Sequence, residues 1–297
     1  MGYLFLIIAL STGLLKGYCG KKTSGYTSEI GDAMNANLIR MILCVLLGFA
    51  YIVLQGQVRF MIQDVKFFVI AALSGISVTA FAITWLLCVK SGAYMMVDVF
   101  LMLGVFIPLL AGCVFFQEKM EINKWIGMAA LVVATLIMCS YNNSQKGKIS
   151  VRSLVLLIVC GMANGISDFS QKLFVKKVEY VPISIFNFYT YVFAVITIVI
   201  ALRLLNKNEK DGSGKKSILP DVWRYVFVMS VCLYLNSYFK TKAALYLDSV
   251  TLYPLNQGSA LILSTIMSAT LFREKLTIKC VVGLIVAFVG LLFINFF

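Results

Sequence analysis

Phe272-Arg273-Glu274-Lys275-Leu276-Thr277-Ile278 is a short charged break between two long apolar runs. It has an earlier echo in Phe116-Gln117-Glu118-Lys119-Met120-Glu121-Ile122. At a shift of 156 residues Phe116 meets Phe272, Glu118 meets Glu274, Lys119 meets Lys275 and Ile122 meets Ile278. Beyond the break Gly127 meets Gly283 and Leu136 meets Leu292. Self-similarity at a fixed spacing marks duplication. It divides the chain into residues 1–145 and 146–297. The same shift pairs Ser11 with Ser167, Lys16 with Lys172 and Lys21 with Lys177, so the repeat reaches the first helix of each half.

The apolar runs decide the class. The 297 residues are 61% hydrophobic and 13% charged, with a mean hydropathy of +0.92. A soluble domain carries roughly twice that charge. A membrane-spanning helix needs about 20 apolar residues, and the runs recur often enough for ten such helices with no room for a soluble domain. The expected spans are 3–19, 33–55, 66–89, 93–116 and 123–141, then 151–176, 182–205, 221–247, 252–272 and 278–297. The first lacks a basic leader and a cleavage site and reads as a retained span. Five spans per half force the halves into opposite orientations, so the fold class is an all-α integral membrane protein, two inverted five-helix repeats.

The net charge of +13 is read as loop and helix-end lysines that set topology and meet lipid headgroups, and no nucleic-acid partner is expected. Loops after odd-numbered spans carry fifteen Lys/Arg and the others seven, which places both termini outside. The eight cysteines lie in apolar runs without a CxxC, and there is no histidine. No metal site, cofactor or disulfide is therefore expected. Enzyme chemistry in the membrane would need a nucleophile with a base or a set of metal ligands. Neither HExxH nor GxSxG occurs, and no histidine is available for a triad.

Phe-x-Glu-Lys followed by a glycine-containing apolar span, twice in a ten-helix layout, resembles the EamA-like branch of the drug/metabolite transporter superfamily. The resemblance is most specific at Phe116 to Gly127 and Tyr253 to Gly290. It implies a central cavity between the two halves and alternating access for a small metabolite, in a multi-pass protein of the plasma (inner) membrane rather than an organelle. Family members commonly keep both termini in the cytoplasm, opposite to the charge count. Pro254 looks like the family's proline, whereas the shifted position is Asp98. Glu118 and Glu274 read as caps or fold-fixing ion pairs rather than substrate ligands.

A charge inside a span costs a few kcal/mol and so usually faces a cavity or a partner. Asp168 stands on one helix face with Asn164 and Lys172, four residues either side. That stripe is either a polar wall of the substrate path or a self-contained Asp168–Lys172 pair. Asp98, with Tyr94 one turn before it, is either a cation or proton site or a headgroup contact. Lys240, beside Asn236, and Lys16 either enter the cavity or snorkel to the interface. Tyr253, Asn256 and Gln257 offer hydrogen-bonding groups on one face, and Trp85 joins them across the cavity. Both signs of charge favour a zwitterion such as an amino acid. A phosphorylated metabolite or nucleotide sugar is the alternative. Monomer and homodimer both stay open.

Overall fold

The computed structural model describes residues 1–24, 30–90, 94–146, 151–208, 220–272 and 278–296. Among these there are eleven α-helical segments, one 3-10 turn at Val58–Phe60 and no strand. In the first half they are α1 (Gly2–Ser24), α2 (Ile30–Leu54), α3 (Val65–Lys90), α4 (Tyr94–Gly104), α5 (Phe106–Phe116) and α6 (Ile122–Lys146). In the second they are α7 (Val151–Lys177), α8 (Ile183–Asn208), α9 (Pro220–Ala243), α10 (Ser249–Leu271) and α11 (Ile278–Phe296). Five are long and apolar enough to cross a membrane: those over Gly2–Ser24, Gly31–Leu54, Val65–Cys88, Ser153–Lys177 and Ile183–Leu204. The duplicated break at Arg273–Thr277 lies outside the described residues, and with it the expected cap at Glu274.

The expected boundaries hold to within a few residues except at two helices. α1 runs on through Lys21 and Lys22, and α6 runs past Tyr141 to Lys146. Both extensions lie where polar loop composition suggests a stop; lysine and glutamine are good helix formers, so the backbone continues. The expected span 93–116 is also divided, into α4 and α5, at Val105. Pro108 explains the division. It has no N–H to give the carbonyl four residues back, Gly104, and its ring crowds that carbonyl. The α5 helix ends on Gln117, which takes a left-handed φ of 54°, and the Glu118 N–H then donates to the Gly112 carbonyl at 3.2 Å. Asp64 caps α3, its Oδ1 accepting from the Phe67 N–H at 3.0 Å.

Packing is mostly across the two halves. α1 lies on α9 and α3 on α7; α2 lies on α8 and α6 on α11; α4 meets both α7 and α10. The closest approach is at Gly104, Gly161 and Gly165. A Cβ on Gly104 would stand 2.0 Å from the Gly161 carbonyl oxygen, and one on Gly165 would stand 2.2 Å from the Gly104 oxygen. Small residues let helix backbones touch in this way when the solvent is lipid. Gly104→Ala is expected to destabilise by at least about 1–3 kcal/mol, because the obstacle is backbone that cannot rotate away. A Cβ on Gly31 would meet nothing within 4 Å, so Gly31→Ala should leave the thermal midpoint in detergent unchanged. Equal midpoints for the two variants would refute the close packing.

Candidate functional site

A cavity of about 110 Å³ lies among α1, α3, α4, α7, α9 and α10, with Tyr191 of α8 at one wall. Lys16 on α1 and Lys240 on α9 bring the charge. Asn164 and Gln171 on α7, Asn236 on α9, and Asn256 and Gln257 on α10 bring amides. Phe81 and Trp85 on α3 and Leu101 on α4 supply apolar surface. An apolar wall with a few convergent polar groups is the usual composition of a small-molecule site.

Asp168 sits beside this cavity and is fully buried. Its Oδ1 is ion-paired with the Lys240 ammonium, and its Oδ2 accepts from Asn164 Nδ2 at 3.5 Å. The Tyr253 hydroxyl holds the same residue by its backbone, donating to the Asp168 carbonyl at 2.7 Å. Asn236 Nδ2 donates to the Ala9 carbonyl at 2.6 Å, which ties α9 to α1. Lys16 lies 5.7 Å from the Phe81 ring centroid, a cation–π distance, and has no ion-pair partner among the described residues. Gln171 is buried, its Oε1 without a partner among the described residues. A group in that condition costs roughly 1–3 kcal/mol unless something fills it.

The Asp168–Lys172 pairing does not form. Lys172 is turned away from the cavity and bonds the ends of other helices. Its Nζ lies 3.3 Å from Glu118 Oε1 and donates to the Leu247 carbonyl at 2.7 Å and the Ala244 carbonyl at 3.3 Å. Glu118 Oε2 in turn accepts from the Ser249 N–H at 2.8 Å, at the start of α10.

Residues 151–296 match the family model of the EamA-like transporter family. Over these residues the chain belongs to that family, within the drug/metabolite transporter superfamily. It is therefore a membrane transporter whose surroundings are a lipid bilayer and a small-molecule substrate. No curated protein matches it. Among solved structures 28 chains match; one crystal structure has a TM-score of 0.73 at 14% identity, over 99% of this chain and 96% of its own. At that identity the likeness is one of fold alone.

Of the residues expected at the site, the transporter brings Lys16, Trp85, Asn164, Asn236, Lys240, Asn256 and Gln257 to one cavity wall. It puts Asp168 and Tyr253 directly behind that wall. Lys172 stands apart from it, at the helix junction. Tyr94 and Asp98 lie on α4, with their side chains outside the described residues. Two further residues of interest are not among the expected site residues. Gln171 is legible in the sequence only as an amide beside the Asp168 stripe. Arg40 is a basic residue within a span, only 3% exposed, and its position in α2 is signal enough.

Proposed function

We propose that this EamA-like protein is a secondary transporter that moves a small polar metabolite by alternating access, a zwitterion such as an amino acid being the best-fitting class. Ten crossings arranged as two inverted repeats, residues 1–145 and 146–297, would carry the motion. The reciprocity of the packing supports this reading. The first helix of each half lies on the third of the other in order of crossings, α1 against α9 and α7 against α3. The second helices pair with each other, and so do the last, α6 with α11. In that last pair a Cβ on Gly127 would meet the Gly290 carbonyl oxygen at 2.6 Å, and one on Gly290 the Gly127 oxygen at 2.8 Å. Exchange of partners under one shift is what a two-fold relation between halves requires. The cavity draws on the first, third and fourth elements of both, the place where inverted repeats put their substrate.

The observation that carries the substrate reading is the combination of Lys16 and the Lys240–Asp168 pair with five amides around one small space. At about 110 Å³ that space is well under the roughly 300–1,000 Å³ of pockets for drug-sized ligands. A compact solute fits it, and a nucleotide sugar does not. The test is counterflow in proteoliposomes. Vesicles preloaded with an unlabelled amino acid should accumulate the labelled one, and Gln257→Ala should weaken apparent affinity about three- to thirtyfold by removing one polar contact. Absence of exchange for every class of small solute, with protein that unfolds cooperatively, would overturn the transporter mechanism.

A further inference from the structure

Arg40 is a cation buried in α2 without an acidic partner among the described residues. Its Nη1 donates to Asn37 Oδ1 at 2.5 Å, and its Nε is buried with no partner among the described residues. Asn37 is itself fixed, donating to the Ala33 carbonyl at 2.9 Å and the Ala82 carbonyl at 3.1 Å. A guanidinium has five N–H donors, and one neutral amide oxygen does not compensate its charge. Removing a cation from water without a counter-charge costs several kcal/mol. Such a residue in a span normally marks a ligand path.

Arg40 lies one layer behind the cavity wall and does not line the space itself. The α2 residues beside it, Met41 and Cys44, pack in one cluster with Tyr191 and Leu233; Tyr191 lines the cavity wall, its hydroxyl donating to the Leu233 carbonyl at 3.2 Å. The charged neighbours of Lys16 are Lys240, Arg40 and Asp168. The cavity region thus holds three cations, and its one described carboxylate, Asp168, is taken by Lys240. Among the described residues Lys16 and Arg40 are left without an ion-pair partner.

We infer that the transported solute is a small acid carrying two anionic groups, one for Lys16 and one for Arg40 behind Tyr191. This rests on the transporter reading above and narrows it. A zwitterion with a single carboxylate answers Lys16 and leaves Arg40 uncompensated. An acidic amino acid, a dicarboxylate or a small phosphorylated acid answers both. A guanidinium binds carboxylate and phosphate alike through paired donors, so the shared chemistry is the second acidic group.

The experiment compares solutes in two assays on the purified full chain: thermal stabilisation in detergent, and counterflow in proteoliposomes. The probes are succinate, L-aspartate and glycerol 3-phosphate, against L-alanine, choline and glucose. The acidic probes should stabilise and exchange. Succinate without glycerol 3-phosphate assigns two carboxylates, and the reverse assigns a phosphate. Arg40→Gln should weaken acidic-probe binding about tenfold to a hundredfold, and Arg40→Lys should recover part of it by keeping the charge. Should Arg40→Gln fail to fold, the wild-type preference among probes decides alone. Exchange of alanine, choline or glucose in preference to the acids overturns this inference and leaves the transporter reading standing. Acidic-probe binding unchanged in folded Arg40→Gln overturns the role of Arg40. Exchange of no probe overturns both readings.

Discussion

Asp168→Asn is expected to lower the stability of the transporter by about 3–5 kcal/mol, the cost of leaving one member of a buried ion pair without the other. The carboxylate is inaccessible to solvent, and Lys240 is 7% exposed, so neither water nor salt screens the pair. At a separation near 4 Å and an effective dielectric of about 20, two unit charges attract by roughly 4 kcal/mol. Asparagine keeps the shape and one acceptor oxygen, but not the charge that holds the Lys240 ammonium in place. Thermal unfolding in detergent should show the midpoint falling by about 10 °C or more. The double variant Asp168→Leu, Lys240→Met separates fold from function. Replacing both charges by apolar groups is often neutral, so stability should largely return while solute exchange stays absent. A midpoint within a degree of wild type for Asp168→Asn would mean that the pair is not held as described. Exchange restored in the double variant would mean that the pair holds the bundle and nothing more.

Much of this was legible in the sequence, and what was not has a common cause. Asp168 stands out because an acid in an apolar run has to be accounted for, and that argument needs no partner. Its partner is invisible locally. The spacing of four residues offers Lys172, which shares the helix face, whereas Lys240 comes from α9, 72 residues away. The helical period says which side chains are neighbours along one helix and nothing about which helix arrives opposite. The division at Val105 is different. Pro108 and Gly104 both signal it, and a count of apolar residues passes over it because the run stays long enough for one span. Arg40 was equally within reach, since the rule that singles out Asp168 applies to a basic residue inside α2. Arginine is easily assigned to topology, and only its burial separates it from the loop cations. Glu118 is correctly read as a helix-end residue, but the helix it caps, α10, begins 131 residues later.

Lys172→Met should be nearly as destabilising as Asp168→Asn, about 3–5 kcal/mol, with a different functional result. Lys172 is 1% exposed and sits at a junction of helix ends. Its ammonium satisfies two carbonyls just beyond α9, Ala244 and Leu247, where a helix leaves acceptors without partners and favours positive charge. Glu118, 3.3 Å from it, does the complementary work at the start of α10, accepting from the Ser249 N–H and, at 3.3 Å, from the Ser249 hydroxyl. A Cβ on Gly112 would come within 2.6 Å of Glu118 Oε2, so the carboxylate is pressed into place by a residue that can only be small. Methionine fills the lysine's volume, gives neither carbonyl a donor, and leaves Glu118 buried without its cation. Glu118→Gln should be the milder change, since an amide oxygen still accepts from Ser249. No residue of this junction lines the cavity, so the folded fraction of Lys172→Met should bind solute with wild-type affinity, where Asp168→Asn does not. Loss of affinity without loss of stability would put Lys172 back in the substrate path. Lys16 and Lys172 stand 156 residues apart, and their surroundings differ. One ammonium is enclosed by a carboxylate and two carbonyls at a helix junction, and the other faces the cavity with an aromatic ring beneath it. Both positions hold a lysine; the surroundings of each determine whether its charge is already answered within the chain or faces the cavity.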